Sequence, residues 1–97
     1  MKPNAQGGIK FDGEKPDWSL FDLSLLDEVA QVLTIGAKKY APDNWKKVEA
    51  ERYLAAALRH IAAYQSGETQ DEETGISHLA HAMCCLHFLQ WHEKQEK

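Results

Sequence analysis

Three runs of apolar residues recur at helical spacing along this chain, and the stretches between them are short, polar and rich in turn formers. The first run is Leu25, Leu26, Val29, Val32 and Leu33; the second is Tyr53, Leu54, Ala57, Leu58 and Ile61. The third is Ile76, Leu79, Met83, Leu86 and Leu89, apolar on more than one side. Spacings of three and four put such residues on one helix face, so the pattern predicts an all-α fold with three main helices.

Local signals set the expected boundaries. Ser24 to Asp27 resembles a capping box with a shortened acid, which starts the first helix near Ser24. Lys38 and Lys39 suit the negative end of its dipole. Pro42 disfavours helix at Ala41, so Ala41 to Trp45 reads as a loop. The second helix should run from about Glu49 to Ser66, stopped by Gly67. An acidic connector, Glu68 to Gly75, precedes a third helix that begins between Asp71 and Ile76 and ends near Trp91. Residues 1–18 read as a non-helical arm, with turns at Gly7-Gly8 and Asp12-Gly13 and a small hairpin closed by the latter. Residues 19–92 then form the helical domain, and 93–97 a fraying charged tail.

A chain of 97 residues makes one small domain. At that size folding hides only roughly 60–65% of the unfolded surface, so a homo-oligomeric helical bundle is expected. The net charge of −4, with no basic face, argues against binding a nucleic-acid polymer. The opening MKPNAQGGIKFDGEKPDW has no apolar core of a signal peptide, and no apolar run reaches the ~20 residues of a membrane span. A cytoplasmic protein without membrane contact is the expectation. Adjacent Cys84 and Cys85 on one helix bond to each other only with strain, so both are read as reduced thiols.

The chemistry gathers around the connector. His78 and His81 lie three apart and share a helix face, which Asp71 and Thr74 extend backward and Cys85 forward. An antiparallel second helix would bring His60 alongside. Imidazoles and carboxylates converging between helices can hold a divalent metal, with His60, Asp71, His78 and His81 as ligands. Glu68 and Glu73 are further ligands or bases. Glu72 reads better as a carboxylate opposing a helix dipole, and His87 and His92 as surface or interface residues.

Arg52, Ala56, Arg59, His60 and Ala63 form the less apolar face of the second helix. A guanidinium beside a metal cluster suits phosphate, because it neutralises oxygens the metal does not reach. Lys39, Tyr40, Asn44 and Trp45 make a compact group able to stack on a nucleobase and read its polar edge. Trp45 plugging the core beneath the loop is the structural alternative.

These residues carry a family resemblance. Gly8-Ile9-Lys10-Phe11-Asp12, Lys15-Pro16-Asp17, Glu28-Val29-Ala30, Gly36-Ala37-x-Lys39-Tyr40 and Asn44-Trp45 resemble the phage and prophage dATP/dGTP diphosphohydrolase N-terminal domain family. So do Arg59-His60, Gly67-Glu68, Asp71-x-Glu73-x-Gly75 and His78-Leu79-x-His81-Ala82. The resemblance covers about residues 8–90. It implies an all-α fold similar to MazG-type pyrophosphohydrolases, which split nucleoside triphosphates using Mg²⁺ or Mn²⁺. The EExxE and ExxD motifs of that group are absent here, and His78-x-x-His81 stands where an acidic pair is expected. A histidine-richer site suits Mn²⁺, Zn²⁺, Fe²⁺ or Co²⁺ better than Mg²⁺.

The reading is therefore a metal-dependent hydrolase of purine deoxynucleoside triphosphates, with Mg²⁺ or Mn²⁺ as the expected ion and Zn²⁺, Fe²⁺ or Co²⁺ as alternatives. Glu68 or Glu73 serves as base, Arg59 and Lys39 neutralise phosphate, and Tyr40, Asn44 and Trp45 hold the base, with Arg52 beside them. Two alternatives stay open: a protein that binds or sequesters a nucleotide without turnover, and an interaction module whose histidines join an oligomer interface.

Overall fold

The computed structural model describes residues 2–3, 8–10 and 13–95. Three helices carry the fold: α1 (Leu26–Lys39), α2 (Ala50–Gln65) and α3 (His78–Gln95). Lys2–Pro3 pairs antiparallel with Ile9–Lys10, so the strands of this pair precede Asp12-Gly13 instead of flanking it. Gly7 and Asp12 lie outside the described residues. Among the described residues no helix is long and apolar enough to cross a membrane.

The first helix starts two residues later than Ser24. Asp22 accepts the Ser24 amide at 3.1 Å and caps the start of a short 3₁₀ turn, Leu23–Leu25, so the capping acid precedes the serine. Asp27 and Glu28 then sit in the first turn of α1 and Lys38 and Lys39 in the last, each opposing the dipole. Between α1 and α2, Asp43 adopts a left-handed conformation (φ 63°) and a 3₁₀ turn carries Asn44–Lys47. Trp45 is thus held in a defined turn and not in an open loop.

The second helix stops where Gly67 predicts. Its φ of 105° is a conformation side chains disfavour, and it lets the Glu68 amide donate to the Ala63 carbonyl and the Gly67 amide to Tyr64. That pair of bonds satisfies two carbonyls at the helix end.

The connector overturns the expected start of α3. Asp71 Oδ1 accepts from the amides of Glu73 (2.9 Å) and Thr74 (3.0 Å), which folds 71–74 into a turn and not a helix. Gly75, at φ 72°, reverses the chain, and Asp71 N–H donates to the Ile76 carbonyl. Ser77 then caps α3 by accepting the Leu79 amide. Glu72 consequently lies in an exposed turn ahead of the helix and does not oppose its dipole. At the other end α3 continues past Trp91 to Gln95, through residues expected to fray.

α3 is central. On one side Ile76, Ala80 and Cys84 pack against Val29 of α1, with Leu26, Val32, Leu33 and Phe88 around them. Each large apolar side chain taken fully into such a cluster contributes about 1.5–3 kcal/mol. On the other side α3 runs antiparallel to α2, where Ala57, His78, Ala82 and Cys85 are buried. Small residues along that seam let the two backbones approach closely, which delivers the histidines of both helices to each other.

Candidate functional site

Two features lie along the α2–α3 seam. The first is a histidine cluster at the connector end. His60 on α2 meets His78 at the start of α3 with their Nδ1 atoms 2.9 Å apart, and the His60 ring stacks on His81 at 4.6 Å between centroids. The folded connector swings Asp71 back over this pair. Ligand atoms of His60, Asp71 and His78 all lie within 4.8 Å of one another.

Electrostatics keep the groups in ligand form. Burial lowers the pKa of His60, and neighbouring His81 and His78 push it the same way. Burial lowers His81 as well. For Asp71 burial alone would raise the value, but the Thr74 and Glu73 amides, with His81, hold the carboxyl below its ordinary range. Neutral imidazoles beside a carboxylate are what metal binding needs, because bound protons compete with the ion.

His78 is 5% exposed and is, among the described residues, the buried polar residue of the core. Glu68 Oε2 stands 3.3 Å from its Nε2, yet that nitrogen makes no hydrogen bond. His81 is directed differently: its Nε2 is 2.7 Å from the Thr74 hydroxyl, which also lies 3.3 Å from Asp71. Thr74 thus positions both neighbours of the pair.

The donor set fits a divalent ion. Two nitrogens near 3 Å apart match the separation that bonds of ~2.0–2.1 Å impose on neighbouring ligands. Two imidazoles and one carboxylate suit Mn²⁺, Fe²⁺, Co²⁺ or Zn²⁺ better than Mg²⁺, which prefers oxygen.

The second feature is a cleft of about 610 Å³ between the end of α1, the 41–48 segment and the facing sides of α2 and α3. Tyr40, Asn44, Trp45 and Arg52 all line it, so four residues chosen for nucleotide binding share one cavity. Tyr53, Cys84 and Phe88 supply its floor. Trp45 stacks on Phe88 at 4.6 Å and meets Trp91 edge-on at 5.2 Å, so it serves both as a core plug and as a wall of the cleft. Burial pushes the Cys84 thiol up to about 12, leaving it an inert wall, and both cysteines are free.

The remaining residues divide. Lys39 binds Glu73 at 3.1 Å, an exposed ion pair between α1 and the connector, so two groups assigned to separate tasks are joined to each other. Arg59 and Arg52 are exposed on α2, Arg59 next to the cluster and Arg52 at the cleft. His87 stays exposed, and half-buried His92 lies 3.3 Å from the Trp45 carbonyl, away from the cluster. Phe88 and Ser77 escaped sequence reading. Phe88 follows Cys84 by four positions on the face packed against α1, outside the expected run through Leu79, Met83, Leu86 and Leu89, and the cap role of Ser77 shows only once the connector is seen to turn.

The family model described as dATP/dGTP diphosphohydrolase, N-terminal, matches residues 5–97. A dATP/dGTP diphosphohydrolase of Salmonella phage PMBT28 is 44% identical over 84 residues, covering 87% of this chain. The matched region spans 29% of that relative's length. No solved structure matches the chain.

Proposed function

The chain belongs to the dATP/dGTP diphosphohydrolase N-terminal family, and from that premise we propose that it is a metal-dependent hydrolase of purine deoxynucleoside triphosphates. The observation that carries this reading is the convergence of His60, Asp71 and His78, whose ligand atoms lie within 4.8 Å of one another. These three residues would hold the metal. A divalent ion there supplies a more acidic water and a Lewis acid for a phosphoryl oxygen.

The chain's own groups do the rest. Trp45 and Tyr40 offer ring faces to the base, and Asn44 offers an amide to its edge. Tyr53, at the cleft, and His60, at the cluster, are seven positions apart on α2, a rise of roughly 10 Å along the helix. That separation suits a base in the cleft with phosphates directed along the seam toward the cluster. Arg52 and Arg59 lie on the same helix and neutralise phosphate charge. Glu68, beside His78, is the better placed base, because Glu73 is engaged by Lys39. Such a substrate belongs to the cytoplasm of a host cell.

The test is product analysis. Purified protein is incubated with Mn²⁺ or Mg²⁺ and each dNTP, and products are identified by mass. Release of pyrophosphate or orthophosphate from dATP or dGTP, lost in His78→Ala, supports hydrolysis. Release from no dNTP sinks it. The Lys39–Glu73 pairing favours a second reading, nucleotide binding without turnover, which predicts recovery of intact nucleotide without added metal.

A further inference from the structure

The Lys39–Glu73 ion pair joins the two features of the seam. Lys39 ends α1, and its Nζ stands 5.4 Å from the ring centroid of Tyr40, which lines the cleft. The same Nζ donates to Glu73 Oε1 at 3.1 Å, across 34 positions of the chain. Glu73 belongs to the connector, and its amide donates to Asp71 Oδ1 at 2.9 Å, within the histidine cluster. One charged contact therefore runs from the wall of the cleft to a member of the cluster. Among the described residues, Arg52 and Arg59 have no carboxylate at ion-pair distance. Of the three cations assigned to phosphate, Lys39 alone already holds an anion.

We propose that Glu73 keeps the place of a phosphate, and that the phosphates of a bound nucleotide replace its carboxylate on Lys39. The pair then selects ligands by phosphate charge. This rests on the nucleotide site proposed above and adds the step that admits the phosphates to it. The contact is suited to exchange. The two side chains are 53% and 75% exposed, and an exposed pair is weakly held. The backbone at each end is fixed without it: Lys39 by α1, and Glu73 by the bonds of its own and the Thr74 amide to Asp71. Rotation of a side chain is enough to part them, and exposed rotamers change in about picoseconds to nanoseconds. A carboxylate brings a single negative charge, whereas a terminal phosphoryl group brings roughly 1.5–2 at pH 7 and three acceptor oxygens. Phosphate therefore displaces Glu73 from the ammonium, and a nucleoside without phosphate leaves the pair closed. The released Glu73 stays beside Asp71 through its amide, so the cluster keeps its shape.

Titration calorimetry at low salt, in EDTA so that no metal contributes, tests the exchange. Glu73→Gln should bind dGTP roughly two- to fivefold more tightly than the wild type, the range expected from freeing one exposed ion pair. Its affinity for deoxyguanosine should not change, and in a Lys39→Gln background the gain from Glu73→Gln should vanish. Unchanged or weaker dGTP binding in Glu73→Gln overturns the proposal. So does an equal gain for deoxyguanosine, or a gain that persists beside Lys39→Gln. A lowered thermal midpoint in Glu73→Gln with no gain in affinity would make the pair a structural tie between α1 and the connector. Inorganic triphosphate separates this proposal from the hydrolase reading. It too should bind Glu73→Gln more tightly, and equal binding to both proteins overturns the exchange. A protein that shows the exchange and never splits a dNTP sinks hydrolysis alone.

Discussion

His60 and His78 meet nitrogen to nitrogen, 2.9 Å apart, although 18 positions separate them in the chain. Two imidazoles can touch in this way only if one donates and the other accepts, so at least one ring is neutral. Two protonated rings at that distance would repel. The contact is thus held either by a shared hydrogen or by an ion accepting both lone pairs, and the second state is the one the proposed reaction needs.

If these residues bind a metal, removing one ligand costs more than disturbing an outer contact, which alone costs about 10–100-fold. His78→Ala should weaken Mn²⁺ or Zn²⁺ binding by more than about 100-fold. Thr74→Ala, which only releases His81 and Asp71, should fall within that smaller range. Titration calorimetry, or visible absorption of the Co²⁺ form, reads both. Equal affinity in His78→Ala would remove this histidine from the ligand set.

The same groups set a pH dependence for the metal-free protein. Folding lowers the pKa of His60 and His81, so the unfolded chain takes up protons first as pH falls. Stability is therefore full above about 6.5, the ordinary histidine value, and declines as pH drops through it toward the lowered folded values. Thermal midpoints measured between about pH 5 and 8 should fall on the acid side. His60→Asn should flatten the decline, whereas a midpoint that rises on acidification would reverse the sign of the argument.

The helices were legible because apolar spacing reports which face is buried, and all three runs became helices. The connector was not. Asp71 and Thr74 stand at helical distance from His78 and His81, which invites an early start to α3. The Asp71 carboxylate instead takes two amides that a helix would have used differently. The juxtaposition of Asp71 with His60 and His78 therefore survives for another reason: a folded turn brings it about, not a continuous helix face. For the cleft, residue types suggested Tyr40, Asn44, Trp45 and Arg52, but their shared wall with Phe88 depends on packing across α3 that periodicity does not encode.

Glu73 provides a sharp distinction among bases. Its carboxylate binds Lys39 at the surface, and a hydrogen bond to Glu73 is the main cause raising the Lys39 pKa. An exposed pair of this kind contributes little to stability. Glu73→Gln should leave the thermal midpoint nearly unchanged. If Glu68 is the base, turnover in Glu73→Gln should also be preserved and Glu68→Gln should lose most of kcat, typically 10²–10⁴-fold for a proton-transfer group. Loss of kcat in Glu73→Gln without loss of stability would move the role to Glu73.

Gly36 separates stability from binding. It lies inside α1, where glycine costs roughly 0.5–1 kcal/mol relative to alanine because of its greater freedom in the unfolded chain. An added Cβ meets nothing within 4 Å, so Gly36→Ala should raise stability by about that amount in chemical denaturation. Gly36 also lines the cleft, and the methyl would project into space the base would use. The variant should therefore be more stable and bind dATP or dGTP more weakly. Tighter or unchanged nucleotide binding would place the base elsewhere, even if hydrolysis itself were observed. A drop in stability would mean instead that α1 cannot accept the extra carbon without moving against α3.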